Sequence, residues 1–278
     1  MIEHNGTNWI IYHGALVPDV SPHIEHGITD QDIRFLLRTS HAYFLRWHTK
    51  FDMPRETAYW HVIKNGHCDL QELSKNTRNQ VRKGLNNCTV RMCTAADLSH
   101  AGYEVYRKAM ENYKSDLRIW TATEFCENLT ALSSDDAYDF WGVWNNAGNL
   151  VAYAQNKIKD NCCNYQVIKL DPHHLHLYSG YALIFEMNCY YLNKMGLLYV
   201  NDGARSIRHN TGVQDFLIKK FRFRKAYSHL HIAYNYKIGS AVRVLFPFRS
   251  IIERIPGSLT KKASALLGQE EIHRQFSD

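Results

Sequence analysis

Tyr138-Asp-Phe-Trp-Gly-Val-Trp144, Asn145-Asn-Ala-Gly148, Leu150-Val-Ala-Tyr-Ala-Gln-Asn-Lys-Ile158, Asp160-Asn161 and Cys162-Cys-Asn-Tyr-Gln-Val-Ile-Lys169 follow one another along the chain. Aromatic and β-branched residues suit a pleated surface, and Asn-, Asp- and Gly-bearing segments suit tight turns, so this stretch predicts an antiparallel three-strand meander. Asp171-Pro172 stops the third strand. After the polar His173–Ser179, residues Gly180–Met195 read as a helix with Leu183, Met187, Tyr190, Tyr191 and Lys194 on one stripe, and Gly196 is its expected C′ residue. Leu197–Asn201 then reads as a strand, Thr211–Phe221 as a helix and Ala226–Tyr236 as a last strand.

On the N-terminal side, Asp69–Asn86 has helical periodicity, with Leu70, Leu73, Thr77, Val81 and Leu85 on one stripe and Asp69 as N-cap. Lys75, Arg78, Arg82 and Lys83 cluster on another face, either as a solvated surface or as an anion-binding ridge. Thr89–Cys93 is a short strand, and Ala96–Lys114 and about Glu124–Leu132 are helices. The first 67 residues are strand-rich. One strand is expected from Asn8 to Val17, ended by Pro18, then a short helix over 30–39, then strands at Tyr43–His48 and Ala58–Lys64 before the Asn65-Gly66 turn. Pro247 and Pro256 mark the exit into a helical tail. The expected organisation is a strand-rich lobe over 1–68, a core over 69–250 and a C-terminal tail over 251–278.

The chain has 278 residues, 45% of them apolar and 22% charged. That composition excludes a disordered chain, a collagen-like repeat and a disulfide-knotted miniprotein. No apolar run reaches the roughly 18–20 residues of a membrane helix. Met1–Gly6 lacks a basic and apolar leader, so a soluble cytoplasmic protein is expected. The formal charge of +6 points weakly to an anionic partner. Seven cysteines, none in a C-x-x-C pair, are expected as reduced thiols, with Cys162 and Cys163 on opposite strand faces. His173-His174-x-His176 has no Cys or carboxylate at ligand spacing and reads as a polar loop rather than a metal site. No signature of an RNA-binding module is present.

A meander, a loop-to-helix crossover, a strand, a helix and a final strand together resemble the GNAT acyltransferase core. Asp215-Phe-Leu-Ile-Lys-Lys-Phe-Arg-Phe-Arg-Lys-Ala-Tyr227 resembles the closing K-x-x-G-F stretch of GNAT and Fem-like transferases. Leu73-Ser-Lys-Asn-Thr-Arg-Asn-Gln-Val-Arg-Lys83 resembles the R-x-x-(I/V)-R-K helix of Fem-like members, the peptidoglycan-bridge aminoacyltransferase-like branch. The resemblance covers about 70–240. It implies an α/β fold with a mixed, largely antiparallel sheet flanked by helices, and makes residues 1–68 a partial second GNAT-like unit.

The implied activity is N-acyl transfer from an acyl-CoA, acetyl-CoA first, to a small amine-bearing acceptor by direct attack on the thioester. Leu177–Ala182 stands where the family has Q/R-x-x-G-x-G/A. The resemblance therefore assigns Tyr178, Ser179, Gly180, Tyr181 and Ala182 to the donor's pyrophosphate, with Leu177 in place of the basic residue. A helix N-terminus supplies the unpaired N–H groups for this. A backbone N–H of the third meander strand, within Gln166–Leu170, would hold the carbonyl oxygen, and Lys169 and Leu170 join the donor set on that ground. Asp202 and His209 are the candidate bases. Ile218 stands at the family's usual tyrosine, which leaves Tyr178, Tyr227 or water as the acid. Arg205 and Arg208 are candidates for holding an acidic acceptor or are ordinary loop cations, and mid-helix Glu186 reads as solvated or paired. The alternatives are transfer of an amino acid from aminoacyl-tRNA, contacted by helix 75–83, and a non-catalytic protein that kept the fold. The acceptor and the oligomeric state are not encoded in any pattern of the sequence.

Overall fold

Five helices begin where a short polar side chain turns back onto the backbone. Thr29, Thr94 and Thr121 each accept the N–H three residues on, while the carboxylates of Asp32, Asp97 and Glu124 accept the cap residue's own N–H, giving three capping boxes. Ser74 and Asn235 cap two more helices through their side-chain oxygens. The computed structural model describes residues 1–12, 14–112, 118–206 and 212–275. Their elements run β1 (Ile2–His4), β2 (Thr7–Tyr12), β3 (Ala15–Pro18), α1 (Asp30–Ser40), β4 (Phe44–Met53), β5 (Trp60–Asn65), α2 (Lys75–Asn87), β6 (Cys88–Cys93), α3 (Ala95–Glu111) and α4 (Ala122–Ser133). There follow β7 (Tyr138–Asn145), β8 (Leu150–Lys159), β9 (Cys162–Leu170), α5 (Ser179–Cys189), β10 (Tyr199–Ala204), α6 (Gly212–Phe221), β11 (Arg224–Tyr234), α7 (Tyr236–Leu245), α8 (Arg249–Ile252) and α9 (Ser258–Arg274).

Contacts divide the chain into two units, Met1–His61 with Ala204–Thr211 and Lys225–Asp278, and Val62–Gly203 with Gly212–Arg224. In the first, the strand order is β1-β2-β3-β4-β11, antiparallel except for β3 beside β4, which pair in parallel at Ala15↔Phe44 and Leu16↔Leu45. The single strand expected over 8–17 is two strands, because Gly14 takes φ +82° and lets Tyr12 pair back with Ala15. Ala15, Phe44, Tyr59, Leu230, Ile232 and Ile272 form one core cluster of this unit, and Trp9, Leu16, Leu36, Ala42 and Leu45 form another.

In the second unit the order is β5-β10-β9-β8-β7-β6, with β6 to β9 antiparallel and β10 parallel to β9. The mixed, mostly antiparallel sheet flanked by helices agrees with the fold class read from the sequence. Alternation along β8 puts Tyr153 on the face covered by α3 and α4, against Leu98, Phe125 and Leu129. Asn156 faces the other way, where its amide reaches Met187 Sδ on α5 at 3.1 Å. Two helix expectations are corrected. Asp69 caps only a 3-10 turn at Leu70–Glu72, and the α-helix starts later, on Ser74, because Leu73 is extended and Ser74 offers a second cap. The long helix after Gly180 turns into a single π turn at Tyr190–Lys194. That turn carries the Tyr191 hydroxyl, which accepts from Trp141 Nε1 at 2.8 Å and Asn156 Nδ2 at 3.1 Å and donates to Asp139.

Candidate acyl-transfer site

β9 and β10 pair at only three positions, Cys162↔Tyr199, Cys163↔Val200 and Asn164↔Asn201, and then part. The cause lies in β9. Its register against β8 jumps between Tyr165↔Asn156 and Val167↔Gln155, so Gln166 is an extra residue that bends the strand. Beyond Asn164 the β10-side backbone of β9, along Gln166–Leu170, has no strand partner among the described residues. The mouth is braced by Asn201 Nδ2 donating to Asn164 Oδ1 at 2.8 Å and by the Gly203 N–H donating to Asn201 Oδ1 at 2.9 Å.

At the far end of β9, Asp171 is buried and accepts from the His173 N–H at 3.0 Å and from Lys108 Nζ at 3.1 Å. Burial alone would raise its pKa; those donors outweigh burial and hold it below the usual range. Asp171 fixes the 3-10 turn Pro172–Leu177, which delivers Tyr178 in the left-handed region at φ 59°. α5 starts there bare, with no side-chain cap, unlike the five capped helices, and it has no acidic residue in its first turn. The Tyr178 carbonyl accepts the N–H groups of Tyr181 and Ala182, which leaves those of Ser179 and Gly180 at the open end. Ser179 is fully buried and its Oγ has no hydrogen-bond partner.

Close packing sets this end. A Cβ on Gly180 would lie 2.9 Å from Leu170 Cδ1, and one on Gly84 of α2 would lie 2.5 Å from the Tyr178 carbonyl oxygen. Tyr181 packs edge-on against Phe216 of α6, with ring centroids 4.9 Å apart, and Ala182 is buried. Lys83 Nζ of α2 lies 5.6 Å from the Tyr178 ring centroid. Of the cationic cluster on α2, Arg78 is used internally, donating to the carbonyls of Gln71 and Leu73, while Lys75, Arg82 and Lys83 are exposed.

Asp202 sits on β10 immediately after the last β9 pair. Burial pushes its carboxyl up to about 7, and a hydrogen bond from the Gln214 side chain of α6 pulls it back only in part. The sequence reading thus has Leu170, Tyr178, Ser179, Gly180, Tyr181 and Ala182 together at one end of β9 and α5. Lys169, assigned for its backbone N–H, precedes Leu170 on β9, and its side chain points away from the group. Strand alternation turns its side chain to the α3 face, where Nζ lies 3.4 Å from Met110 Sδ and burial lowers its pKa. Tyr227 belongs to the first unit, on β11. Its hydroxyl donates to Glu56 Oε1 at 3.1 Å, and burial together with that carboxylate raises its pKa. Arg205, in the same unit, is committed to the Ala58 carbonyl at 2.7 Å and to the Trp60 ring. Glu186 of α5 is half-buried, which raises its pKa. His209 and Arg208 lie outside the described residues. Gln214 and Lys83 went unassigned as site residues from sequence. Gln214 gave no stronger signal than a polar residue in a helix's first turn, and Lys83 was one cation among four.

No family model matches the chain, and no curated protein matches it. Among solved structures, FemX is 10% identical over 81% of this chain and 79% of that chain, with a TM-score of 0.54. The C-terminal domain of a putative lysylphosphatidylglycerol synthetase from Agrobacterium fabrum is 11% identical over 86% of this chain and 85% of its own, with a TM-score of 0.50. The ribosomal-protein-S18-alanine N-acetyltransferase from Escherichia coli is 19% identical over 40% of this chain, with a TM-score of 0.32, and the match spans 62% of that enzyme's length. The two long alignments establish the architecture. It is the GNAT/Fem-like fold.

Proposed function

We propose that the opening where β9 and β10 part is an acyl-transfer site of the GNAT/Fem type, taking its acyl group from an acyl-CoA, acetyl-CoA first, and passing it to a small amine. The observation that carries this is Asp202, a partly buried carboxyl just past the last β9–β10 pair, whose pKa burial pushes up to about 7. A general base is most effective when its pKa lies near the working pH, and such a group contributes about 10²–10⁴-fold to rate. Asp202 takes a proton from the acceptor's ammonium. The freed amine attacks the thioester carbon while a β9 N–H beyond the Gln166 bulge holds the developing oxyanion. The nitrogen sheds its second proton to solvent, the C–S bond breaks, and the thiolate takes a proton from water or from the Tyr178 hydroxyl. The donor's pyrophosphate lies on the bare start of α5, at the Ser179 and Gly180 N–H groups, with Lys83 supplying the cation that Leu177 lacks.

The same site admits a second donor. Exposed Lys75, Arg82 and Lys83 on α2 favour a polyanion, and a Fem-like enzyme would present aminoacyl-tRNA there. The test is calorimetric titration with coenzyme A and acetyl-CoA of the wild type, Lys83→Glu and Asp202→Asn. The expected result is binding to the wild type, binding about tenfold weaker in K83E, and unchanged binding in D202N with transfer lost. No binding up to millimolar ligand would remove the acyl-CoA reading. A salt-sensitive tRNA complex weakened by Arg82→Ala with Lys83→Ala would then support the aminoacyl donor. Binding with no transfer to any amine would mark a non-catalytic protein.

A further inference from the structure

The C-terminal part of the first unit carries a row of large apolar side chains that stay about half or more exposed among the described residues. Val244 of α7, Phe248 of the 3-10 turn Phe246–Phe248, Ile251 of α8 and Ile255 just beyond it recur at intervals of four, three and four residues. They are 66, 54, 58 and 47% exposed. Core contacts are made by other residues of the same segment. Val242 is buried, and the Phe246 ring is covered by the guanidinium groups of Arg249 and Arg274, at 4.6 and 3.9 Å from its centroid. Arg249 also reaches Glu271 of α9 at 2.9 Å. The segment therefore has two apolar sides, one satisfied by α9 and one turned to solvent, and Leu259 at the start of α9 adds a further exposed side chain.

Charge around the stripe is one-sided. Between Arg243 and Lys262 the chain has Arg243, Arg249, Arg254, Lys261 and Lys262 against a single carboxylate, Glu253. Of these cations all but Arg249 are exposed. An exposed row of large apolar side chains rimmed by Arg and Lys fits the headgroup boundary of an anionic bilayer, where the apolar groups sink past the headgroups and the cations stay among the phosphates. A stripe four side chains long falls short of the roughly 800 Å² per partner that a standard protein interface buries. No helix among the described residues is long and apolar enough to cross a membrane, so the contact is made from one side.

We infer that the α7–α8 stripe docks this protein on the surface of an anionic lipid bilayer, independently of the donor reading given above. The test is flotation of the full chain with vesicles of phosphatidylcholine alone and of phosphatidylcholine mixed with phosphatidylglycerol, at low and high salt. The expected result is partition at least about tenfold stronger onto the anionic vesicles, reduced by salt. Phe248→Ser with Ile251→Ser and Ile255→Ser should abolish it. Arg243→Glu with Arg254→Glu should remove the preference for anionic lipid. These side chains are exposed, and circular dichroism and melting check that the variants stay folded. The inference is overturned if the wild type stays with the aqueous phase, if the triple variant floats like the wild type, or if light scattering shows a dimer that the triple variant dissolves, which would make a second copy the occupant.

Discussion

Gly84 of α2 approaches the carbonyl oxygen of Tyr178 so closely that a methyl group at position 84 would lie 2.5 Å from it. That contact seats the start of α5 against α2. In a helix interior, Gly→Ala normally stabilises by up to about 1 kcal/mol. At Gly84 the obstacle is backbone, which cannot rotate away, so Gly84→Ala is expected to cost roughly 1–3 kcal/mol and to weaken donor binding by shifting Tyr178. At Gly180 the obstacle is the tip of Leu170, which can rotate, so Gly180→Ala is expected to stay within about 1 kcal/mol of wild type. Chemical denaturation of the two variants side by side checks the contrast. Equal losses would refute the assignment of Gly84 as the tighter of the two contacts.

Asp202 gives a pH signature with a definite sign. Its folded pKa, about 7, lies above the value near 3.9 that it has in an unfolded chain. Between those values the folded state holds the extra proton, so stability falls as pH rises from about 4 to 7, and the penalty is complete above that. Asp202→Asn removes the ionisation. At pH 8 the variant should be more stable than wild type by roughly 1–3 kcal/mol, and near pH 4 the two should converge. Transfer by the wild type should rise with pH through an apparent pKa near 7, and the variant should lose about 10²-fold or more with that inflection gone. Parallel stability–pH curves for the two proteins would show that Asp202 titrates normally.

How much of this was legible depended on the range of the interactions. The meander over 138–170 follows from local alternation and turn residues, and its three strands fall where the sequence puts them. The capped start of α2 was misplaced because Asp69 and Ser74 are both competent caps, and only the packing of the extended Leu73 decides between them. The one strand read over 8–17 is two, since Gly14 as a turn residue is invisible in a run that is otherwise uniformly β-forming. In the site, the start of α5 was readable because Asp171-Pro172 ends one strand and helical periodicity begins at Gly180. Lys169 and Leu170 were read for their backbone N–H groups alone; that their side chains part, Leu170 to α5 and Lys169 to α3, follows only once the neighbouring helices are in place. The elevated pKa of Asp202 comes from burial by residues remote in sequence, with Gln214 of α6 beside it, which no local pattern announces. Nor does any local pattern pair β11 with β4, residues such as Leu230 and His48 being remote in sequence.

Lys64 on β5 is nearly fully buried and its ammonium lies 2.6 Å from Glu72 Oε1 in the same unit. Removing one partner of such a pair leaves a charge out of water with no compensation, which costs more than the intact pair contributes. Glu72→Gln is therefore expected to destabilise by roughly 1–3 kcal/mol, below the usual range of about 3–5 kcal/mol because Glu72 itself is partly exposed. Lys64→Met with Glu72→Gln together should recover most of that loss. A double-mutant cycle by urea denaturation decides the matter, and simple additivity of the two changes would rule out coupling.

Cys68 and Cys189 lie 121 residues apart in sequence with their sulfurs 3.0 Å apart. The hydrogen bond between them lowers the pKa of Cys189 and, with burial, raises that of Cys68, so Cys189 is the thiol that ionises first. Asn193 holds the Cys68 peptide from both sides, accepting its N–H at 2.8 Å and donating to its carbonyl at 2.7 Å. Both thiols are free in the structure, yet closure to a bond needs the sulfurs to move together by only about 1 Å. Diamide, an azo oxidant that takes up two electrons and two protons, should convert this pair to a disulfide ahead of the other five cysteines. Peptide mapping under non-reducing conditions should recover the Cys68–Cys189 cross-link, and Cys68→Ser should leave Cys189 open to alkylation. Because the bridge would close so long a loop, the oxidised protein should be more stable by up to about 5 kcal/mol on the chain-entropy estimate. Recovery of both cysteines as alkylated thiols after diamide treatment would show that their proximity has no redox consequence.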